Sequence, residues 1–351
     1  MRSKYLREDL TILAAEAERL GLGGKSVLVT GATGLIGSLC VKALIEHNRR
    51  YPAPVSVIAL ARDPDKVKLV YRDEPEAPEE MPNVRFVYQD ITAPIPAALR
   101  CDYIIHTASV TSSRLFVTKP AEVIEGIYQG TRQVLEYARE HAVEGLVYLS
   151  SMEVFGAVDT ERRLQEDELG TVRLDAVRSC YPEAKRLAEL LCHCYAEEFG
   201  LPVKIARLAQ TFGAGVPETE NRVFAQFARS ALRGEDIVLH TRGESVGNYC
   251  YTRDTVRALF LLLTAGEKGA AYTVVNEETS RSIAEMAALV AEKFSDGRSH
   301  VVFDIPEDGR FGYAPDTKLR LSAKKLNRLG WEAEVGLEEM YRRMLPDLEE
   351  K

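Results

Sequence analysis

The chain has 351 residues, of which 46% are hydrophobic and 28% charged, and its formal net charge is −8. This length and balance predict a soluble globular protein whose core is large enough for one large domain or for two that share a cleft. The negative charge argues against a nucleic-acid-binding surface, and no apolar run approaches the roughly 18 residues that a membrane span needs.

The six cysteines indicate a reducing environment rather than a disulfide framework. Their spacing has no framework pattern, so we expect a cytoplasmic protein with free thiols. Cys192, His193 and Cys194 are adjacent, but their side chains diverge on a helix and no second ligand pair accompanies them. No metal site is expected.

The first half of the chain alternates between predicted strands and helices. After an amphipathic helix within residues 1–20, short β-branched segments predict strands at 26–30, 55–60, 84–88, 103–106 and 146–150. Longer amphipathic segments predict helices at 35–48, 119–141 and 182–199. The acidic, proline-containing segment 63–82 is expected to be an exposed loop. The alternation predicts an α/β fold with a doubly wound parallel sheet of the Rossmann type.

The second half is less regular. It predicts strands at 203–208 and 272–275, and helices at 222–233, at 283–294 and near the end of the chain. We therefore divide the chain into a Rossmann domain, residues 1–211 with 248–276, and a smaller C-terminal lobe, residues 212–247 and 277–351.

Three glycines follow the first predicted strand where a helix begins. Gly31 permits a tight turn, Gly34 lets a pyrophosphate approach the backbone, and Gly37 allows helix and strand to pack closely. The start of the helix then presents amide donors to phosphates. The pattern predicts a dinucleotide site. A plain strand–turn–helix unit that happens to contain glycines is the alternative.

Tyr181 and Lys185 stand four residues apart, which places a phenol and an ammonium on one helix face. A phenol with a pKa near 10 is a poor base at neutral pH, and an adjacent positive charge favours the phenolate. Such pairs also arise by chance on amphipathic helices. Beside a dinucleotide site, however, the pair predicts a hydride-transfer enzyme in which the tyrosine moves a proton.

With these motifs in view, the chain resembles the extended short-chain dehydrogenase/reductases, in the branch of NAD-dependent epimerases, dehydratases and decarboxylases that act on nucleotide sugars. The resemblance extends over nearly the whole chain, from residues 29–37 to Leu329-Gly330-Trp331. It implies that the smaller lobe binds a nucleotide sugar. It also implies a homodimer formed through helices near 116–140 and 182–199. The motifs are specific for the superfamily and much less specific for the reaction.

The resemblance implies four catalytic residues. Ser151 lies four residues before an aromatic–glycine pair, which is the register of the family's catalytic hydroxyl. Ser151 would hydrogen-bond a sugar oxygen whose proton Tyr181 takes, and Lys185 would also hold the nicotinamide ribose. Glu153 stands where 4,6-dehydratases and UDP-glucuronate decarboxylases of the family carry a glutamate. Whether it acts as an acid or base, or only hydrogen-bonds a helix start, stays open.

The resemblance also implies an NAD site along the carboxyl ends of the strands. Asp90 matches an acid near the adenine amino group. Arg62 stands where NAD-preferring relatives carry an acid, so NADP is not excluded; alternatively Arg62 contacts adenine or solvent and Asp63 reaches the ribose. The expected cofactor-binding residues are Gly31, Thr33, Gly34, Leu35, Ile36, Gly37, Arg62, Asp90, Ile91, Ala108, Tyr181 and Lys185.

Near the substrate, the chain both follows and departs from the family pattern. The expected substrate-binding residues are Ser109, Gln210, Arg222, Val223 and Tyr249. Gly247 replaces an arginine of the decarboxylases, and Gln210 and Ile127 replace asparagines. Met152 replaces the aspartate with which 4,6-dehydratases expel a hydroxyl, which argues against that reaction.

We therefore expect an NAD-dependent enzyme that oxidises sugar C4 transiently. Epimerisation is the leading reaction, and decarboxylation of a UDP-uronic acid is the alternative. Arg62 leaves an NADP-dependent carbonyl reductase as a further alternative. A catalytically silent dinucleotide sensor is disfavoured by the intact Ser151, Tyr181 and Lys185.

Overall fold

The computed structural model describes residues 3–158, 160–305 and 318–349. Residues 306–317 and 350–351, which belong to the predicted smaller lobe, lie outside the described residues. No helix within the described ranges is long and apolar enough to cross a membrane.

A seven-stranded parallel sheet forms the centre of the fold. Its strands are β1 (Ser26–Thr30), β2 (Ser56–Ala61), β3 (Val84–Tyr88), β4 (Tyr103–His106), β5 (Gly145–Ser151), β6 (Val203–Leu208) and β10 (Ala271–Val274). They lie in the order β10-β6-β5-β4-β1-β2-β3, and each adjacent pair is parallel. This is the Rossmann order, so the predicted fold class is confirmed.

Helices cover both faces of this sheet. One face carries α1 (Lys4–Arg19), α2 (Leu35–Arg50), α3 (Pro64–Val70) and α8 (Thr252–Ala265); the other carries α4 (Ser113–Thr118), α5 (Pro120–His141) and α6 (Cys180–Phe199). Side chains alternate along each strand, so that Val27 and Val29 enter one core and Leu28 enters the other. Both faces are apolar, which explains the unbroken hydrophobic runs of the strands.

Two smaller sheets extend one of these cores. The strands β7 (Gln210–Phe212), β9 (Val246–Tyr251) and β11 (Asn276–Ser282) form one sheet, and β8 (Ile237–Leu239) pairs with β12 (Val301–Phe303). The remaining helices are α7 (Val223–Arg233), α9 (Ile283–Phe294), α10 (Lys324–Asn327) and α11 (Leu337–Leu348). The predicted boundary between residues 247 and 248 falls inside β9, and the division into two lobes stays a prediction.

The segment 63–82 is not wholly an exposed loop, contrary to the prediction. Pro64 begins α3, and the Asp63 carboxylate accepts hydrogen bonds from the amides of Asp65 and Lys66. Tyr71 ends the helix in a buried position, where its hydroxyl donates to the Ala32 carbonyl at 2.7 Å. The segment is thereby fastened to the glycine turn.

A buried charge cluster fastens α1 to the smaller sheets. Asp9 accepts a hydrogen bond from the Tyr251 hydroxyl of β9 at 2.5 Å. The same carboxylate lies 3.6 Å from Arg253 of α8 and 3.3 Å from Arg343 of α11. Burial raises the pKa of Asp9 to about 6, against the lowering effects of Tyr251 and the two arginines. Asp9 therefore links three elements that are distant in sequence.

Replacing Asp9 should destabilise the protein strongly. We expect Asp9→Ala to lower the free energy of unfolding by about 2–4 kcal/mol, because the buried Tyr251 hydroxyl loses its acceptor and Arg253 and Arg343 each lose one of their carboxylate partners. Urea denaturation measures the difference. Glu8→Ala is the matched control: this exposed carboxylate lies 3.7 Å from Arg343, and its loss should cost under about 0.5 kcal/mol. Equal losses in the two variants would contradict the role of burial.

Candidate functional site

The carboxyl ends of the parallel strands bring many of the predicted site residues to one edge of the sheet. The strand order reverses between β1 and β4, and parallel sheets open a ligand crevice at such a switch point. The glycine turn follows β1, Ala108 and Ser109 follow β4, and Ser151 ends β5. The predicted cofactor site and the predicted catalytic hydroxyl therefore share this edge.

The glycine turn packs tightly against the segment after β4. Gly31 has a φ of +67°, and a Cβ there would lie 2.7 Å from the Thr107 hydroxyl and 2.8 Å from the Ala108 nitrogen. A Cβ on Gly37 would lie 2.6 Å from the same hydroxyl and would overlap the Gly31 carbonyl oxygen. The Gly34 amide donates to that carbonyl at 2.9 Å. Side chains at positions 31 and 37 would therefore push β1, β4 and α2 apart.

The start of α2 fits the pyrophosphate of a dinucleotide. Gly34 is the N-cap, and no side chain among the described residues caps this helix. Its first amides therefore remain available to an anion. Gly34 is exposed, and Thr33, Leu35 and Ile36 are half-buried around it. This Cβ-free cradle beside open amides is the donor set that NAD would use.

Arg62 and Asp90 meet at the outer end of the edge, after β2 and β3. Arg62 Nη1 lies 3.5 Å from Asp90 Oδ2, and both side chains are exposed. The Thr92 amide and hydroxyl donate to Asp90 at 2.9 and 2.8 Å, and these bonds with the Arg62 charge lower the pKa of Asp90. The Asp63 carboxylate caps α3, so it would have to leave that cap to reach a ribose. Ile91 is partly buried against the α5 core.

Tyr181 lies in the first turn of α6, with its ring buried at the same edge. The Ser151 hydroxyl is near enough to this phenol to lower its pKa. The Ser151 oxygen also accepts the Glu153 amide at 3.2 Å, which caps a short 3-10 helix at residues 152–155. The two hydroxyls that the sequence assigned to the reacting oxygen are thus adjacent.

Burial dominates the electrostatics of the Tyr181 phenol. It raises the pKa of Tyr181 above its usual value, and the charge of Glu153 raises it further. The Ser151 hydroxyl and the charges of Arg178 and Arg222 lower the pKa of Tyr181, but not enough to reverse the direction. The lower pKa expected from the neighbouring Lys185 is therefore not found in the protein by itself.

Lys185 is buried one turn along α6 from Tyr181. Its Nζ donates to the Leu149 carbonyl at 2.7 Å and lies 4.8 Å from the Tyr148 ring centroid and 5.9 Å from that of Tyr181. Burial lowers the pKa of Lys185 to about 7. Burial and the Lys185 charge also lower the pKa of His106 to about 3, so this imidazole is neutral. The lysine is held in place by a carbonyl rather than by a carboxylate.

Arg178 and Phe116 are site residues that sequence reasoning missed. The Arg178 guanidinium donates to both Glu153 oxygens, at 2.9 and 3.0 Å, and lies 4.7 Å from the Phe116 ring centroid. Glu153 is partly exposed. Its carboxylate pairs with Arg178 and does not hydrogen-bond the start of a helix within the described residues. An arginine three residues before Tyr181, close to one helical turn, was the available signal.

The start of α7 approaches this edge from the smaller sheets. Arg222 is the N-cap of α7, and its charge lowers the pKa of Tyr181. Its guanidinium donates to both oxygens of Glu220, at 3.0 and 2.6 Å, and lies 4.9 Å from the Phe224 ring centroid. Val223 follows as the first helical residue and is partly buried against the core. A residue on α7 thus influences the phenol on α6.

The other predicted substrate residues differ in accessibility. Gln210 is partly exposed on β7, in register with Tyr249 of β9. Tyr249 is fully buried, and its ring packs edge-on against Phe212 at 5.8 Å. A Cβ on Gly247 would collide with the Tyr249 hydroxyl. The phenol of Tyr249 therefore occupies the space into which a side chain at position 247 would project.

Comparison with known proteins shows the family. The model of the NAD dependent epimerase/dehydratase family matches residues 27–276, and the chain belongs to this family. The match includes the glycine turn, Ser151, Tyr181 and Lys185. The protein is therefore an enzyme that uses NAD, as the sequence motifs predicted. No group of three or more metal-ligating side chains occurs within residues 3–158, 160–305 and 318–349.

Curated relatives are similar over most of the chain. UDP-glucuronic acid decarboxylase 6 of Arabidopsis thaliana is 29% identical over 314 residues, which are 89% of this chain and 85% of the relative. UDP-glucuronic acid decarboxylase 1 of Danio rerio is 29% identical over 90% of this chain and 70% of its own length. Among solved structures, the UDP-glucose 4-epimerase of Thermotoga maritima with UDP-glucose has a TM-score of 0.74 at 24% identity, covering 92% of this chain and 98% of that one.

A side chain at Gly37 should abolish cofactor binding. We expect Gly37→Ala to prevent saturable NAD binding in calorimetry, because its Cβ would overlap the Gly31 carbonyl oxygen and open the cradle. Gly126→Ala on α5 is the control, since its Cβ would meet no atom within 4 Å. It should bind NAD normally and be more stable by about 0.5–1 kcal/mol. Normal NAD affinity in Gly37→Ala would contradict the assignment of the cradle.

Proposed function

We propose that the protein is an NAD-dependent nucleotide-sugar enzyme that oxidises sugar C4 transiently and returns the hydride after rearrangement, with epimerisation as the leading outcome. The proposal is carried by the position of Tyr181, in the first turn of α6, near Ser151 at the end of β5, on the edge that carries the glycine cradle. Two hydroxyls that converge on one point can bind and deprotonate a single alcohol.

Each catalytic side chain has a distinct role. When bound, NAD supplies a hydride acceptor and donor. Ser151 donates a hydrogen bond to the sugar C4 oxygen, and Tyr181 removes the proton of that hydroxyl as the carbon loses its hydride. Lys185 is held by its hydrogen bond to the Leu149 carbonyl. Its other N–H groups would hydrogen-bond the nicotinamide ribose and the Tyr181 phenol. Tyr181 returns the proton when the hydride returns to the opposite face, and the net result is inversion at C4.

Epimerisation needs the fewest groups beyond this machinery. The cofactor leaves the cycle unchanged, and no further acid has to act on the sugar. Met152 cannot donate a proton, and Glu153 is engaged by Arg178. Inversion at C4 therefore agrees best with the available proton donors.

Decarboxylation of a UDP-uronic acid is the second candidate. The curated relatives described above are named UDP-glucuronic acid decarboxylases, and Glu153 stands beside the phenol, whose pKa it raises. Oxidation of C4 in a uronic acid places a ketone β to the carboxylate, and such an acid loses CO2 readily. The same Tyr181 and Ser151 would then act first, and the substrate would decide the outcome.

Product analysis with the Tyr181→Phe variant tests the proposal. Incubation of the protein with UDP-, CDP-, GDP- and dTDP-sugars, followed by NMR, should show a C4 epimer of one sugar without net NADH. Tyr181→Phe should keep its NAD affinity and lose on the order of 10²–10⁴-fold in kcat, because it removes the hydroxyl that takes the proton in the proposed mechanism. Tyr195→Phe is the matched control, because it removes a hydroxyl on the same helix that donates to Glu136. We expect its turnover to be unchanged.

The alternatives give distinct results in the same assay. A UDP-pentose and CO2 from UDP-glucuronate would select decarboxylation. Stoichiometric loss of NADPH absorbance would contradict the transient oxidation and indicate a carbonyl reductase, for which Arg62 is the relevant cation. Near-normal turnover in Tyr181→Phe would remove the phenol from the mechanism.

We further propose that two copies associate through α5 and α6. These helices pack against each other on the face of the sheet opposite to α1 and α2. Their outer surface carries exposed apolar side chains: Ile124 on α5, and Leu187 and Leu190 on α6, with Val117 on α4 beside them. Leu187 and Leu190 are three residues apart and share a helix face. A second copy of this surface would cover them.

A charge on this surface should separate the copies. We expect Leu190→Asp to convert a dimer into a monomer of 39.1 kDa in light-scattering chromatography, because a carboxylate would be buried in the interface. Leu69→Asp on α3 is the control: Leu69 has the same 58% exposure as Leu190 and lies on the other face. It should leave the mass unchanged. A wild-type protein that is already monomeric would contradict the proposed interface.

A further inference from the structure

Phe116 contacts both the catalytic tyrosine and an arginine. Its ring lies parallel to that of Tyr181, with centroids 4.4 Å apart and planes at 15°, and the Arg178 guanidinium lies 4.7 Å from the same centroid. Phe116 is buried, and the Cys180 thiol donates to its carbonyl at 3.3 Å. This bond fastens α4 to the first turn of α6. The orientation of the Tyr181 ring therefore depends on Phe116.

The Arg178 guanidinium also donates to both Glu153 oxygens, at 2.9 and 3.0 Å. Two separate guanidinium nitrogens make these bonds, which fixes the plane of the guanidinium against the carboxylate. The two side chains are 39% and 31% exposed, so the pair contributes little to the free energy of folding. Its position beside Tyr181 indicates that its role lies in the site instead.

The charged and titratable groups around the Tyr181 phenol come from β5, α6 and α7 and from the segments next to them, whereas α4 contributes the uncharged Phe116. They are Glu153 after β5, Arg178 before α6, Lys185 on α6, Tyr148 on β5 and Arg222 at the start of α7. Among these, Glu153 raises the pKa of Tyr181, whereas Arg178 and Arg222 lower it. Without Arg178, the Glu153 carboxylate would stand uncompensated beside an oxygen that must become negative.

We propose that Arg178 is a positioning residue that balances the charge of Glu153 beside the Tyr181 hydroxyl and, through Phe116, holds the Tyr181 ring. This inference rests on the proposed role of Tyr181 as the base. It assigns Glu153 and Arg178 opposite effects on phenol ionisation, and a purely structural role would not produce opposite effects.

Direct titration of Tyr181 in the NAD complex tests the inference. Protein labelled with 13Cζ-tyrosine reports each phenol, and loss of one signal in Tyr181→Phe assigns the resonance. We expect Arg178→Met to move the ionisation midpoint up by about 1 pH unit and Glu153→Gln to move it down. The double variant should return near the wild type. The conservative variant Arg178→Lys keeps the positive charge, so its ionisation midpoint should stay close to that of the wild type.

Arg173→Met is the matched control, because Arg173 donates to both oxygens of Asp175 on the exposed surface five residues earlier. It should not move the midpoint. The pKa read from the acid side of the profile of kcat/KM against pH should shift in the same direction as the Tyr181 midpoint in each variant. Equal ionisation of Tyr181 in wild type, Arg178→Met and Glu153→Gln overturns the inference.

The titration tests the role of Arg178 and the turnover assay tests the proposed function, so either hypothesis can fail without the other. If no nucleotide sugar is turned over, the proposed function fails, while the phenol titration still decides the role of Arg178. If Arg178→Met does not fold, the downward shift in Glu153→Gln and the retained midpoint in Arg178→Lys carry the test. An unmoved midpoint in Glu153→Gln then overturns the inference by itself.

Discussion

The rest of the site depends on the absence of a Cβ at two positions of the glycine turn. At Gly31 and Gly37 a side chain would collide with the segment after β4 or with the turn itself. Because these positions are bare, β1, β4 and the start of α2 converge at the switch point of the sheet. The helix amides then face the crevice into which the ends of β4 and β5 deliver Ala108 and Ser151.

Burial of a phenol beside an ammonium creates the second constraint. An unpaired charge on either Tyr181 or Lys185 would cost considerable free energy, because both side chains are buried. Accordingly, burial raises the pKa of Tyr181 and lowers that of Lys185 to about 7, so both groups are shifted towards their neutral forms in the protein by itself. The groups that favour the phenolate are the neighbouring Ser151 hydroxyl and the charges of Arg178 and Arg222. The reactivity of the tyrosine is thus a property of its surroundings rather than of the Tyr–Lys spacing alone.

The differences from the expected family pattern lie in the smaller sheets and on α5. Gly247 stands where the decarboxylases have an arginine, and the Tyr249 hydroxyl fills the adjacent space. Ile127, at a position where relatives have an asparagine, is buried in the α5 core and offers no polar group. The residues proposed to move the proton therefore follow the expected family pattern, while positions expected to contact the sugar depart from it. This combination agrees with the proposed oxidation at C4.

The sequence by itself determined the Rossmann sheet, the glycine turn and the family, because these depend on local periodicity and on residues close together along the chain. It also placed Tyr181 and Lys185 on one face of a helix. It did not predict the strands of the smaller sheets, since β11 has the polar sequence Asn-Glu-Glu-Thr-Ser-Arg-Ser and β7, β8 and β12 have only three residues each. Tertiary structure alone decided that Arg178 holds Glu153 and that Phe116 stacks on Tyr181. It also decided that burial outweighs Ser151, Arg178 and Arg222 in setting the direction of the pKa shift of Tyr181. Desolvation and ring packing depend on which elements pack together in the tertiary structure. The spacing of residues along one helix does not predict those contacts.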